Sequence, residues 1–204
     1  MAGFAISSVR PLSPSTFGDL ERLFAQPGCS FARSCWCMEY RIGRRVPDGV
    51  RSPAEYRKGR LQALAADEPT PGLIGYDAAC EPIGWVAVGP RESFPRLQRS
   101  PIMKPADELP AWVVPCFVVP APQRGRGVAE GLLTFAVEHA RAAGATCLEG
   151  FPVDRAGRSQ PQWLWHGTFG MFERAGFQEL LRRKPERPLM RLEFTQDRQM
   201  PNFS

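Results

Sequence analysis

The chain has 204 residues, 43% of them hydrophobic and 23% charged, with 26 Lys and Arg against 21 Asp and Glu for a net charge of +5. That is ordinary globular composition at a length suited to one well-buried domain, and it excludes a disordered or fibrous protein. No run approaches the roughly 20 apolar residues that span a bilayer, and Met1-Ala2-Gly3-Phe4-Ala5 lacks the basic segment and apolar stretch of a signal peptide. The basic excess is almost all arginine, 23 Arg against Lys58, Lys104 and Lys184, and it is scattered rather than gathered into a nucleic-acid-binding run. We therefore expect a cytoplasmic protein with neither a membrane nor a nucleic-acid partner. The cysteines, Cys29, Cys35, Cys37, Cys80, Cys116 and Cys147, form no disulfide framework. Three of them cluster, but without a CxxC pair or a nearby histidine, so no metal site is expected.

Residues 5–9 read as a short strand. Residues 15–25 read as an amphipathic helix, with Phe17, Leu20, Leu23 and Phe24 at helical spacing. The aromatic stretch from Phe31 to Tyr40 has no clear type. Ser52-Pro53-Ala54-Glu55 places a capping serine, a proline at the first helical position and a glutamate three residues after the cap, predicting a helix to about Ala66. Residues 72–77 and 82–88 form a predicted hairpin. Residues 90–110 carry Pro90, Pro95, Pro101, Pro105 and Pro110 and read as a long irregular segment, of the kind that often serves function.

Residues 112–119, WVVPCFVV, predict a strand buried on both faces, in which Pro115 requires an edge or a bulge. Residues 127–143 give the clearest helix, with Val128, Leu132, Ala136 and Ala140 on one stripe and Gly144 as the stop. A strand over 146–151, a polar loop over 153–162, a helix over 167–175 and closing strands over 177–182 and 189–194 complete the order.

Between the predicted strand and the clearest helix lies Arg124-Gly125-Arg126-Gly127-Val128-Ala129. Glycines at a helix mouth let a ligand approach the backbone, and the first N–H groups of a helix have no internal partners. Together they make an anion cradle suited to a pyrophosphate. The P-loop ending Gly-Lys-Ser/Thr is absent, and Glu130 stands where the dinucleotide fingerprint needs its last glycine.

The stretch resembles the signature of the GNAT superfamily of N-acetyltransferases, Gln/Arg-x-x-Gly-x-Gly/Ala, at every defined place. Further on, Met171-Phe172-Glu173-Arg174-Ala175-Gly176-Phe177 resembles that family's second signature. The resemblance covers about residues 70–194. It implies an α/β (α+β) fold: a mixed, mostly antiparallel twisted sheet flanked by helices, with a splayed strand pair that binds the cofactor. Residues 1–204 would be one domain, with 1–70 a variable acceptor-side part and 71–195 an acyl-CoA-binding core.

The resemblance implies acetyl-CoA as cosubstrate and no metal. Val119 would meet the pantetheine arm, and the Phe117 N–H would polarise the acetyl carbonyl. The N–H groups of Gly125, Arg126, Gly127, Val128 and Ala129 would hold the pyrophosphate, Arg124 and Arg126 would add charge, and Phe172 would pack near the thiol end. Many relatives carry a tyrosine where this chain has Phe172, so that proton donor is missing. Val113 likewise stands where some relatives have an acid.

Glu149, a lone carboxylate in an apolar strand, is then the candidate general base, since desolvation raises a carboxyl pKa. Asp154 and His166 are weaker candidates. Trp36, Tyr40, Trp85, Arg91 and Phe94 are candidate acceptor-lining residues. The expected activity is transfer of an acetyl group to a primary amine by direct attack in a ternary complex. The acceptor is a small-molecule amine or a protein amine, and a homodimer is compatible with this reading. The alternative is an acyl-CoA-binding module of the same fold with little or no turnover.

Overall fold

The computed structural model describes residues 6–43, 45–155 and 165–194. Seven strands form one sheet in the order β1-β2-β3-β4-β5-β7-β6. They are β1 (Ser8–Pro11), β2 (Gly72–Tyr76), β3 (Pro82–Pro90), β4 (Trp112–Val118), β5 (Cys147–Gly150), β6 (Gln178–Lys184) and β7 (Arg187–Glu193). Every neighbouring pair is antiparallel except β4 and β5, which run parallel. A parallel pair needs a crossover, and it is supplied by α6 (Val128–Ala142).

Helix α6 buries Val128, Leu132, Ala136 and Ala140, the stripe predicted from their spacing. It lies close on the sheet because Gly84 sits beneath it. A Cβ there would stand 2.8 Å from Val128 Cγ1 and 2.9 Å from Leu132 Cδ1. Around α6 gather Val86, Val114, Phe117, Leu148, Phe172, Phe177 and Met190. Leu132, Leu133 and Phe172 are fully buried; a phenylalanine removed from such a core costs about 3–5 kcal/mol.

The opposite face is covered by the first part of the chain. Helix α1 (Phe17–Ala25) packs Leu20, Leu23 and Phe24 under Trp36, Tyr76 and Trp85. The stretch of unclear type holds two short helices, α2 (Ser30–Cys35) and α3 (Glu39–Ile42). They are separated by Trp36 at φ 50° and Cys37 at φ 51°, both in the left-handed region. Two consecutive side-chain-bearing residues there cost roughly 1–2 kcal/mol each. In α4 (Pro53–Leu64) the Ser52 hydroxyl accepts from the Glu55 N–H at 3.4 Å and Pro53 opens the helix, as the capping pattern predicts.

The segment expected to be irregular contains a 3-10 turn at Arg91–Ser93 and the one-turn helix α5 (Pro95–Gln98). Its Phe94 and Leu97 join Met103, Val113, Phe151 and Leu189 in a third core cluster. Phe94 is therefore core rather than an acceptor contact, and the proline-rich composition conceals a buried anchor pair three residues apart. The opening strand lies at 8–11 rather than 5–9; residues 1–5 and 156–164 are outside the described residues, as is most of the predicted 153–162 loop. Among the described residues, no helix is long and apolar enough to cross a membrane.

Strand β4 carries the bulge that Pro115 demands, although it is a central strand. Cys116 pairs with Ala87 and Val113 with Gly89, so three steps on β4 oppose two on β3. The extra residue changes which face each side chain takes. Val114 and Phe117 both face α6, while Cys116 and Val118 face the α1 side. Pairing with β5 runs over Trp112, Val113 and Val114 and stops at Gly150, so the two strands part at the bulge.

Candidate active site

The backbone directions on β4 follow from the hydrogen bonds of its neighbours. The Gly72 carbonyl accepts from Leu12 N–H, so Gly72 faces β1, and Val88 N–H donates to the Pro71 carbonyl. Alternation along β3 turns the polar groups of Ala87 toward β4 and those of Val86 toward β2. The Cys116 amide thus meets Ala87, while the Phe117 N–H and C=O point away from β3, into the side that β5 has left. Strand groups without a partner strand are a ready edge for an extended ligand.

The open half of β4 runs into the glycine loop. A 3-10 turn over Ala121–Gln123 leads to Gly125 at φ +74° and Gly127 at φ +76°, with Gly127 as the N-cap of α6. Left-handed backbone favours glycine at both places. A Cβ on Gly125 would meet nothing within 4 Å, so the loop's outer surface is open. The first helical N–H groups, from Val128 and Ala129 onward, have no intrahelical acceptors and carry the positive end of the α6 dipole.

The two arginines of the loop differ in their contacts. Arg124 turns back into the fold: its Nε donates to the Val119 carbonyl at 3.0 Å and its Nη2 to the Gly28 carbonyl at 2.9 Å. The Ala121 N–H also donates to Pro27 O at 2.8 Å. Arg124 therefore braces the loop against the α1–α2 connection while remaining exposed. Arg126 is exposed and bonds Gln123 Oε1 at 2.8 Å.

At the point where the strands part stands a histidine–tyrosine pair. Tyr40 Oη and His166 Nε2 are 3.1 Å apart. Burial first, and the Arg187 charge second, push His166 down to about 3, against the opposing effect of the Pro115 carbonyl nearby. Its Nδ1 makes no hydrogen bond of good geometry. The ring is uncharged at neutral pH and is no acceptor for an ammonium proton. Burial likewise raises the Tyr40 phenol above its ordinary value. The pair is thus a neutral hydroxyl held by a neutral imidazole, drawn from α3 and from the residues just before α7 (Phe169–Arg174).

Several sequence expectations need correction. Glu149 is fully buried, and its carboxylate is already engaged: Arg91 Nη2 lies 2.5 Å from Oε2 and Arg191 Nη2 lies 2.7 Å from Oε1. Arg191 in turn holds Asp107 at 2.8 and 2.9 Å. Two guanidiniums neutralise the carboxylate at the paired end of β4 and β5, where it faces Val113, so it is a structural ion-pair centre and not a free base. Arg91 is consumed by the same cluster and by the Leu109 carbonyl, so it does not face an acceptor. Trp85 is fully buried and donates Nε1–H to Cys37 Sγ at 3.2 Å, while Trp36 stacks on Phe17; neither lines an opening. Phe172 is core: its ring fills the space over Gly150 and meets Phe117 edge-on at 6.3 Å, so it backs the opening rather than lining it. Of the acceptor-side residues, Tyr40 alone retains partial exposure. Asp154 is tied to Arg182 at 2.7 Å.

Sequence reasoning missed the Arg187 charge beside His166 and the bracing role of Arg124. No local pattern announces either, because both depend on contacts between distant segments. Among the described residues, no group of three or more His, Cys, Asp or Glu is placed to hold a metal ion.

No protein-family model matches the sequence, and no curated protein matches it. Solved structures do match the fold. A GNAT-family acetyltransferase from Listeria monocytogenes is 14% identical, with 92% of this chain and 94% of that chain covered and a TM-score of 0.54. Arylalkylamine N-acetyltransferase 2 from Aedes aegypti is 11% identical, covering 92% and 99%, with a TM-score of 0.52. A polyamine N-acetyltransferase from Drosophila melanogaster, which forms N-acetylagmatine, is 12% identical, covering 92% and 99%, with a TM-score of 0.50. The chain has the fold of the GNAT acetyltransferases.

Proposed function

We propose that the protein is an N-acetyltransferase that takes an acetyl group from acetyl-CoA and delivers it to a primary amine by direct attack in a ternary complex. The observation that carries this reading is the open half of β4: beyond the bulge, Phe117 turns its N–H and C=O away from β3 and past the end of β5, and the strand leads straight into the glycine loop at α6. An extended amide-bearing arm with a pyrophosphate at one end fits that surface. Its amides would pair with Phe117 and with the Val119 N–H, and its phosphates would meet the N–H groups of Gly125, Arg126, Gly127, Val128 and Ala129.

Acetyl-CoA supplies an activated acyl thioester when bound. This chain's own residues would do the rest. The Phe117 N–H would donate to the acyl carbonyl oxygen, in the manner of an oxyanion-hole donor. Arg126 would add charge near the phosphates. Arg124 would fix the loop's position, and Tyr40, oriented by His166, would receive the acceptor amine's N–H. A thiol of pKa about 8.5 leaves without a strong acid, so Phe172 in place of a tyrosine is compatible with turnover. Holding both partners in place would supply much of the rate.

Thermal unfolding with CoA, acetyl-CoA, ATP and NAD tests the first half. At 100 times the dissociation constant a ligand stabilises by about 2.7 kcal/mol, and only CoA and acetyl-CoA should do so. Thiol release across a panel of small amines and lysine peptides tests the second half. Ligand shifts without thiol release would instead favour an acyl-CoA-binding module with little turnover.

A further inference from the structure

One of the three clustered cysteines of the sequence meets a fourth. Cys37 Sγ and Cys116 Sγ are 3.7 Å apart, brought together from the α2–α3 turn and from β4. They lie in a hydrogen-bond chain. Trp85 Nε1–H donates to Cys37 at 3.2 Å, the two thiols share a contact, and Cys116 donates to the Phe117 carbonyl at 3.7 Å. One end of this chain is thus the Phe117 peptide of the open strand.

We propose that Cys37 and Cys116 are a redox modification site, closed to a disulfide by hydrogen peroxide. The inference goes beyond acetyl transfer and stands without it.

Geometry carries it. A disulfide needs the sulfurs at about 2.05 Å, so they must approach by roughly 1.7 Å. The Cys37 backbone is already in the left-handed region, as is that of Trp36, and strained backbone of this kind is stored where a site needs it. Both residues are buried, so peroxide reaches the pair only through local opening of the fold, and the two sulfurs are held together when it does.

The roles follow from the donors. Cys37 has the Trp85 indole N–H on its sulfur, a donor that steadies the negative charge developing there as it attacks. Cys116 keeps its proton, since the contact with Cys37 and then burial raise it well above the ordinary thiol value. Cys37 gives up its proton as its sulfur attacks one peroxide oxygen and the O–O bond breaks. Cys37 becomes the sulfenic acid, and the departing hydroxide takes a proton to leave as water. The Cys116 sulfur then attacks Cys37, the S–O bond breaks, and a second water carries away the Cys116 proton. Two thiols and one peroxide give one disulfide and two waters. The bridge ties the α2–α3 turn to β4 and removes the thiol donor from the Phe117 carbonyl.

The full-length protein, treated natively with hydrogen peroxide, should lose about 2 Da from the two thiols. Alkylated afterwards under denaturing conditions, it should take up two fewer alkyl groups than untreated protein and yield one cross-linked peptide pair joining Cys37 to Cys116, which dithiothreitol reverses. Cys37→Ser should abolish the pair. In Cys80→Ser, which removes the exposed thiol of the β2–β3 turn, the pair should persist. A bridge between Cys35 and Cys37, sulfinic or sulfonic acid at Cys37 without a bridge, or oxidation confined to Cys80 would each overturn the proposal. None of these readouts depends on acetyl transfer, so its failure and that of the transferase reading are separable.

Discussion

The two ends of the β4–β5 pair handle polar groups in opposite ways. At the paired end, Val113 sits opposite Glu149, and the carboxylate is buried because Arg91 and Arg191 close on it. At the open end, past Pro115, the backbone itself is left without a β5 partner, and the Tyr40–His166 pair stands beside it. One end neutralises its polar groups internally and the other leaves them without a strand partner. A single extra residue on one strand separates the two regimes, so polarity near a binding site must be read together with its partners.

The contrast breaks most severely at the paired end. Glu149→Ala leaves two buried guanidiniums without their shared carboxylate, and breaking such a cluster costs about 3–5 kcal/mol. Urea unfolding should show that loss, while the folded fraction still gives a CoA-dependent thermal shift. Unchanged stability with abolished turnover would restore Glu149 as a base.

At the open end the strongest effect is on pH. His166 titrates near 3 in the fold against about 6.5 when unfolded. Between those values the unfolded chain binds the extra proton, so stability present above pH 6.5 is lost as pH falls, at about 1.4 kcal/mol per unit. His166→Gln should flatten the slope over that window in unfolding curves taken from pH 7 to 4; an identical slope would contradict the assignment.

Smaller effects sharpen the glycine loop. Gly127→Ala places a Cβ at φ +76°, costing about 1–2 kcal/mol, and should shrink the CoA-induced shift in melting temperature. Arg124→Ala removes two hydrogen bonds to exposed carbonyls, worth about 0.5–1 kcal/mol in stability. It should weaken CoA binding several-fold by calorimetry through a looser loop, and unaltered affinity would deny Arg124 its bracing role.

Much of this was legible in the residues. The stripe of α6, the Ser52 cap and the conflict between Pro115 and a buried strand are local patterns, and each has its counterpart in the fold. The glycine loop was legible because left-handed backbone is a local requirement. Glu149 shows where local reading ends. A lone carboxylate in an apolar strand has the same sequence signature whether it is a desolvated base or a neutralised ion pair. The deciding residues, Arg91 and Arg191, lie in a 3-10 turn and in β7. Trp36, Trp85 and Arg91 misled for a related reason: aromatic and arginine content marks a lined pocket or a core equally well, and only packing distinguishes them. Arg124 kept its place in the motif while its exposed side chain bonds the Gly28 and Val119 carbonyls, contacts that no local pattern announces.

Strand β6 has a consequence of another kind. It is the outermost strand beside β7, and an outermost strand offers a row of unspent amides to any passing chain. Here Glu179, Arg182, Arg183 and Lys184 populate it, and its pairing with β7 slips twice, between Glu179 and Leu181 and again between Arg182 and Lys184. Charged side chains and a kinked border are both features that disfavour edge-to-edge pairing with a second chain, so this margin of the sheet is guarded by its own residues.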